Sequence, residues 1–183
     1  MKERVLRFRS FWIFPLLSIL ILEAGRRLEP ESRLSDLVWL WLGGILSWTL
    51  LEYGFHRLLL HGEIRNPTLR GFISASHIGH HRAPRDPKQI LVKPSFGIVI
   101  STMVLAILYA VTWSPFKTAG LMVGIWSGFL YYEAVHYRVH MSLRNSHLLQ
   151  HQRRAHFHHH FSNSQRCFGV TSPLWDYVFG TKG

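Results

Sequence analysis

Acidic side chains are scarce in this 183-residue chain, ten Asp and Glu against 21 Lys and Arg, and cysteine is reduced to Cys167 alone. A single cysteine cannot close an internal disulfide, and without a Cys pair at ribbon or finger spacing a thiolate zinc module is excluded. No internal repeat or low-complexity linker breaks the chain, so its length assigns residues 1–183 to a single domain. A cleavage site is missing too. The apolar stretch 11–22 follows a basic start, as in a signal peptide, but Glu23, Ala24, Gly25, Arg26 and Arg27 come next, which predicts a retained segment. The formal charge of +11 suits nucleic acid, an anionic membrane surface or an acidic partner, and its placement decides among them.

Mean hydropathy is only +0.08, an average over long apolar runs and basic, histidine-rich stretches. Residues 95–116 carry no charge and exceed the roughly 18 to 20 residues a helix needs to cross a bilayer. Three further apolar segments are weaker: 11–22 is short and holds Pro15, 37–55 holds Glu52, and 119–132 is short but uncharged. Each of these alone also fits a buried helix of a soluble protein. Charge placement favours four spans. With the N-terminal arm cytoplasmic, residues 56–94 and 133–183 fall on its side, and they carry Arg57, Arg65, Arg70, Arg82, Arg85, Lys88, Lys93, Arg138, Arg144, Arg153, Arg154, Arg166 and Lys182, beside Lys2, Arg4, Arg7 and Arg9 of the arm. The opposite loops keep Arg26, Arg27, Arg33 and Lys117, with Glu29, Glu31 and Asp36 offsetting the first three. This positive-inside pattern puts both termini in the cytoplasm and explains the basic charge through anionic lipid heads, without nucleic acid.

Ten of the 13 histidines fall in four blocks: His56 and His61 in HRLLLH, His77, His80 and His81 in HIGHH, His136 and His140 in HYRVH, and His156, His159 and His160 in HFHHH. His147, His151 and His158 are left over. Residues three or four apart on a helix share a face, so three of the blocks can each converge on one point. Adjacent histidines diverge by about 100°, so an HxxHH block can also serve both metals of a pair. His56 and His61, five apart, do not share a face and call for a helix end between them or for different metals. At 1.5 Å per residue His56 lies about 28 Å and His136 about 26 Å along their spans, which puts the histidines at the cytoplasmic membrane boundary. Neutral imidazole is the commonest metal ligand, and ten exceed the four of a tetrahedral zinc and suit two ions of coordination number five or six. Two redox metals at a membrane suggest oxygen activation. A zinc transporter or storage protein is the alternative, although transport favours ionisable ligands near the bilayer midplane, where the spans offer only Glu52, near an inner end. Glu52, four residues before His56, and Glu133, three before His136, share helix faces with ligands and are candidate acceptors for imidazole N–H groups, or partners of Arg57 and Arg138. Asp176 either orients a histidine or anchors the tail.

Through these passages the chain resembles the fatty acid hydroxylase superfamily, and within it the fatty acid 2-hydroxylases more than the sterol desaturases or carotenoid hydroxylases. WTLLEYGFHRLLLH at 48–61, HIGHHRAPRDP at 77–87, YEAVHYRVH at 132–140 and HFHHHFSNSQRCFGVTSPLWDYVFGT at 156–181 carry the resemblance, which spans roughly residues 39–181. It implies an all-α integral membrane enzyme, with about four transmembrane helices and a cytoplasmic helical cap holding a di-metal site on the ten histidines. Two iron ions are the expected working metals, with zinc able to substitute in purified protein. The implied reaction uses dioxygen and two electrons to insert one oxygen atom into an acyl C–H bond, with a sterol or carotenoid hydroxylase or a desaturase as the neighbouring outcomes. Eukaryotic 2-hydroxylases carry an N-terminal haem domain, whereas about ten polar residues precede the first span here and no HPGG haem motif occurs. The expected partners are therefore the lipid substrate, the membrane and a separate electron-transfer protein, a ferredoxin or small cytochrome with its reductase. The expected membrane is a bacterial inner membrane rather than the endoplasmic reticulum.

Overall fold

A computed structural model describes residues 9–142 and 147–183; Lys2, Arg4, Arg7 and Arg144 of the charge pattern lie outside them. The described residues form helices and turns, and no strand occurs among them. In chain order the helices are α1 (Ser10–Leu28), α2 (Asp36–Gly54), a π-helical turn (Phe55–Leu60), α3 (Pro67–Arg82), α4 (Pro87–Ile90), α5 (Pro94–Thr112), α6 (Pro115–Met141), α7 (His147–Phe161) and α8 (Leu174–Val178). They group into two compact units, one of the residues up to Trp48 with Val92–Leu130, the other of Thr49–Leu91 with Tyr131–Gly183.

The four apolar segments become the four long helices α1, α2, α5 and α6, with bounds that differ from those of the apolar runs. Helix α1 continues six residues past Leu22 through Gly25, Arg26 and Arg27 to Leu28. The uncharged run 95–116, expected as one span, is divided. Pro115 cannot continue a helix, because it lacks the N–H and restricts the residue before it. Helix α5 accordingly stops at Thr112, Trp113 takes the left-handed conformation at φ 50° with its N–H on the Tyr109 carbonyl, and Phe116 belongs to α6. Pro87–Thr112 is the one helical stretch among the described residues long and apolar enough to cross a membrane, and none of its most apolar window is buried.

Small residues let these helices touch backbone to backbone. A Cβ on Gly44 of α2 would sit 2.1 Å from the Leu121 carbonyl oxygen, and one on Gly124 of α6 would sit 2.2 Å from that of Trp41, so α2 and α6 cross where neither side chain exists. Around that crossing Phe14 packs edge-on to Phe129 with ring centres 5.1 Å apart, and Trp48 meets the same ring at 5.5 Å. The indole N–H of Trp126 reaches Ser101 Oγ at 2.9 Å and that of Trp41 reaches Ser127 Oγ at 3.1 Å, each tying α6 to a neighbour.

In the second unit the end of α2, the π turn, α3 and the C-terminal parts of α6 and α7 bring the histidines inward. Val135, Val139, Leu149 and Val170 form an apolar cluster beside them, with Tyr132 and Phe157 against it. The tail from Ser162 onward has little regular structure, and α8 is pinned by the Trp175 indole N–H on Thr49 Oγ1 at 2.9 Å.

Candidate metal centre

All ten histidines of the four blocks gather into two groups of five, within each of which the facing ring nitrogens lie within 4.8 Å of one another. One group is His56, His61, His77, His81 and His159; the other is His80, His136, His140, His156 and His160. Helices α3 and α7 feed both groups because neighbouring residues point about 100° apart. His77 and His81, four apart, go one way and His80 the other; His156 and His160 go one way and His159 the other. The three histidines of an HxxHH block thus divide between two points instead of converging on one. His136 and His140 stay together, as their spacing of four predicts.

His56 and His61 share a group despite their spacing of five, and the π turn is the reason. The His61 N–H bonds the His56 carbonyl at 3.2 Å, a link between residues five apart, and the two ring centres sit 5.1 Å from each other. The turn ends at Leu60 with His61 as its cap, so a helix end does fall between the two, and they belong to one group rather than to different ones.

Within each group the Nε2 atoms converge. His61 to His77 is 2.8 Å, His81 to His77 is 3.1 Å and His159 to His61 is 3.0 Å; in the other group His136 to His80 is 3.0 Å, His140 to His156 is 2.9 Å and His160 to His156 is 3.1 Å. The outward side of two rings is fixed. His56 Nδ1 lies 2.6 Å from the Phe168 carbonyl oxygen and His159 Nδ1 lies 2.8 Å from that of Arg166. A carbonyl only accepts, so both rings carry their proton on Nδ1 and turn a bare Nε2 lone pair inward. His56 Nε2 is buried without any hydrogen-bond partner. A buried lone pair facing four other imidazoles is a poor hydrogen-bond arrangement and a good donor set for a cation, so the residues fit a metal ion.

Burial also keeps the rings neutral. Loss of solvation is the largest cause in every one, helped by neighbouring imidazoles or guanidinium groups except at His81. It holds His61 and His140 at about 4 and His80 and His159 at about 3, and it lowers His56, His77, His81, His136, His156 and His160 from the ordinary value of 6.5. Neutral imidazole is the form that ligates metal.

Two of the three candidate supporting carboxylates, Glu52 and Asp176, hold the backbone behind the rings. Glu52, 5 % exposed, accepts Val170 N–H at 2.6 Å, Thr171 N–H at 2.8 Å and the Thr171 hydroxyl. Asp176, 2 % exposed, accepts Phe168 N–H at 2.9 Å, Gly169 N–H at 2.8 Å and the Thr181 hydroxyl at 2.8 Å. Both therefore hold the segment whose carbonyls orient His56 and His159, and Asp176 anchors the tail as well. Glu133 is buried one turn before His136. A line of donors runs from Arg57 Nη1 to Tyr53 Oη (2.7 Å), from Tyr53 to Thr181 Oγ1 (3.0 Å) and on to Asp176. Arg57, Tyr53, Thr171 and Thr181, with the carbonyls of Arg166 and Phe168, are site residues that motif spacing does not reveal. Of the remaining histidines, His147 and His151 are exposed and His158 is half-buried; none joins either group.

The profile of the fatty acid hydroxylase family matches residues 41–181. The chain belongs to the fatty acid hydroxylase family. A dihydroceramide fatty acyl 2-hydroxylase of Arabidopsis thaliana is 30% identical over 138 residues, 75% of this chain and 58% of that protein. A ceramide very long chain fatty acid hydroxylase of Saccharomyces cerevisiae is 29% identical over 94% of this chain and 45% of its own length, and a fatty acid 2-hydroxylase of Rattus norvegicus is 30% identical over 83% and 41%. The chain thus spans about half the length of the curated fatty acid hydroxylases it matches. Among solved structures, full-length scs7p, of which only the hydroxylase domain is visible, shares the fold at a TM-score of 0.82 and 24% identity, over 94% of this chain and 66% of that one.

Proposed function

We propose that this chain is a membrane-embedded, oxygen-dependent oxidoreductase that hydroxylates a lipid acyl chain at C-2. The observation that carries the reading is the division of ten buried or half-buried imidazoles into two five-nitrogen groups. His56, His61, His77, His81 and His159 hold one ion and His80, His136, His140, His156 and His160 the other, with iron as the working metal and zinc able to replace it on purification. When bound, such a pair supplies redox chemistry that delivers one atom of dioxygen to a C–H bond at the expense of two electrons. The protein's own part is to fix the rings in their neutral form and point their Nε2 atoms inward. Glu52 and Asp176 contribute by ordering the segment 166–171.

Residues 1–183 act as one membrane-embedded domain in this proposal, with α1, α2, α5 and the first half of α6 as four spans and the histidines on the cytoplasmic side. Supporting the spans, Trp12, Ile19, Trp39, Leu46, Met103, Ile107 and Val111 are all more than half exposed, an apolar surface that water does not favour. The positive-inside pattern supports the orientation. The matched hydroxylases named above come from a plant, a yeast and a mammal and give no support to a bacterial inner membrane. Position C-2 rests on the names of the Arabidopsis and rat relatives. An acyl chain anchored by its polar head at the depth of the histidines presents its first carbons to them. Electrons come from a ferredoxin or small cytochrome with its reductase.

Lipid mass spectrometry of cells with and without the protein tests the reaction. Acyl chains heavier by one oxygen, co-eluting with 2-hydroxy acid standards after hydrolysis, are expected. Loss of two hydrogens indicates a desaturase instead, and a hydroxylated sterol or carotenoid moves the protein to a neighbouring branch.

A further inference from the structure

We propose that Glu52 and Asp176 are positioning residues for one histidine group only, so that the group containing His159 is the tighter metal position and fills before the group containing His160. This inference rests on the metal-centre reading above. It comes from an asymmetry in what stands behind the rings. In the His159 group, the Nδ1 atoms of His56 and His159 are held by the Phe168 and Arg166 carbonyls. In the His160 group, the Nδ1 atoms of His80, His136, His156 and His160 are buried with no hydrogen-bond partner.

The holding carbonyls belong to an irregular segment, and two buried carboxylates order it. Glu52 takes the backbone N–H groups of Val170 and Thr171 and the Thr171 hydroxyl, and Asp176 takes those of Phe168 and Gly169 and the Thr181 hydroxyl. Gln152 adds a bond from its amide to the Thr171 carbonyl at 3.1 Å. Four consecutive backbone N–H groups, Phe168 to Thr171, are thus fixed by two carboxylates, and charge-assisted hydrogen bonds are the stronger kind. Two rings of the His159 group therefore stand in the right tautomer and direction before an ion arrives. Binding there spends less ordering entropy than in the His160 group, where four rings have no partner at Nδ1 to fix the outer nitrogen.

The test is a titration of the metal-free full chain in detergent with Zn2+ against a competing chelator at neutral pH. The wild type is expected to take two ions in two resolved steps, with His81→Ala removing the tight step and His160→Ala the weak one. Asp176→Asn and Glu52→Gln should each weaken the tight step by about 10- to 100-fold, the usual effect of losing an outer partner, and leave the weak step unchanged. A role in folding alone would move both steps together. Thr181→Val, which removes one donor from Asp176 and leaves the backbone bonds, provides a milder variant that should shift the tight step in the same direction. Two steps of equal affinity in the wild type, equal weakening of both in the variants, or loss of the tight step in His160→Ala overturns the inference. A wild type that takes fewer than two ions overturns the metal-centre reading instead.

Discussion

Acid should unfold the histidine unit once its metal is stripped, and the size of the effect follows from two rings. His80 and His159 are 1 % and 0 % exposed, and burial holds them at about 3. Between about 6.5 and that value the unfolded chain binds a proton that the folded chain refuses, so stability is complete above 6.5 and falls as pH drops through the window. At about pH 4.5, two units below the ordinary value, each ring costs about 2.7 kcal/mol. The pair alone then costs about 5 kcal/mol, comparable with the lower end of the whole stability of a domain at roughly 5–15 kcal/mol. The eight other rings push in the same direction. Chelated protein in detergent is expected to show a flat melting temperature from pH 9 to about 7 and a steep fall below about 6.5, complete near 4.5. Metal-loaded protein should hold its melting temperature to lower pH, because bound ions exclude the protons. Thermal unfolding followed by fluorescence across the series measures both curves. A metal-free protein as stable at pH 5 as at 7.5 would refute the claim that these rings are buried in the neutral form.

Substituting His81 or His159 by Ala should cost metal and abolish activity, whereas His147→Ala, at an exposed position outside both groups, should retain both; equal metal content in all three contradicts the ligand assignment. Purified protein with dioxygen alone should be inactive, and a ferredoxin or small cytochrome with its reductase should restore turnover; full activity without reductant counts against a redox centre. Gly124→Leu forces a side chain where a Cβ already lies 2.2 Å from the Trp41 carbonyl oxygen and should destabilise by about 1–3 kcal/mol or more. Gly54→Ala, with open space at its Cβ, should be neutral or stabilising by up to about 1 kcal/mol, and the two melting temperatures side by side check the helix crossing.

The helices and the ten histidines were legible because both depend on short-range spacing. Apolar runs mark the four long helices α1, α2, α5 and α6, and the 100° step between neighbours lets an HxxHH block divide between two histidine groups. The end of α5 was misread because hydropathy averages over Pro115, whose backbone effect is local and absolute. Which of His77, His80 and His81 travel together depends on where α3 sits against α6 and α7, which no spacing rule contains. The acceptors behind His56 and His159 left no trace at all, since a carbonyl at 166 or 168 is the same atom whatever the side chain. Glu52 and Asp176 were visible as carboxylates near ligands, but their partners are amides more than a hundred residues from Glu52 and eight or fewer from Asp176.

The π turn at Phe55–Leu60 bears on how the chain can lengthen or shorten over time. In an α-helix residues five apart are turned by about 140° from one another and residues four apart nearly align. Dropping one residue between His56 and His61 would let that turn close to ordinary α geometry and still leave both rings on one side. The same loss between His77 and His80 would swing His80 and His81 by about 100°, which turns His81 into the direction His80 had and takes His80 away from both groups. A one-residue gap is therefore admissible in the first histidine block and disruptive in the second, and a search pattern for this centre should allow three or four residues between the first pair while holding the HxxHH spacing fixed.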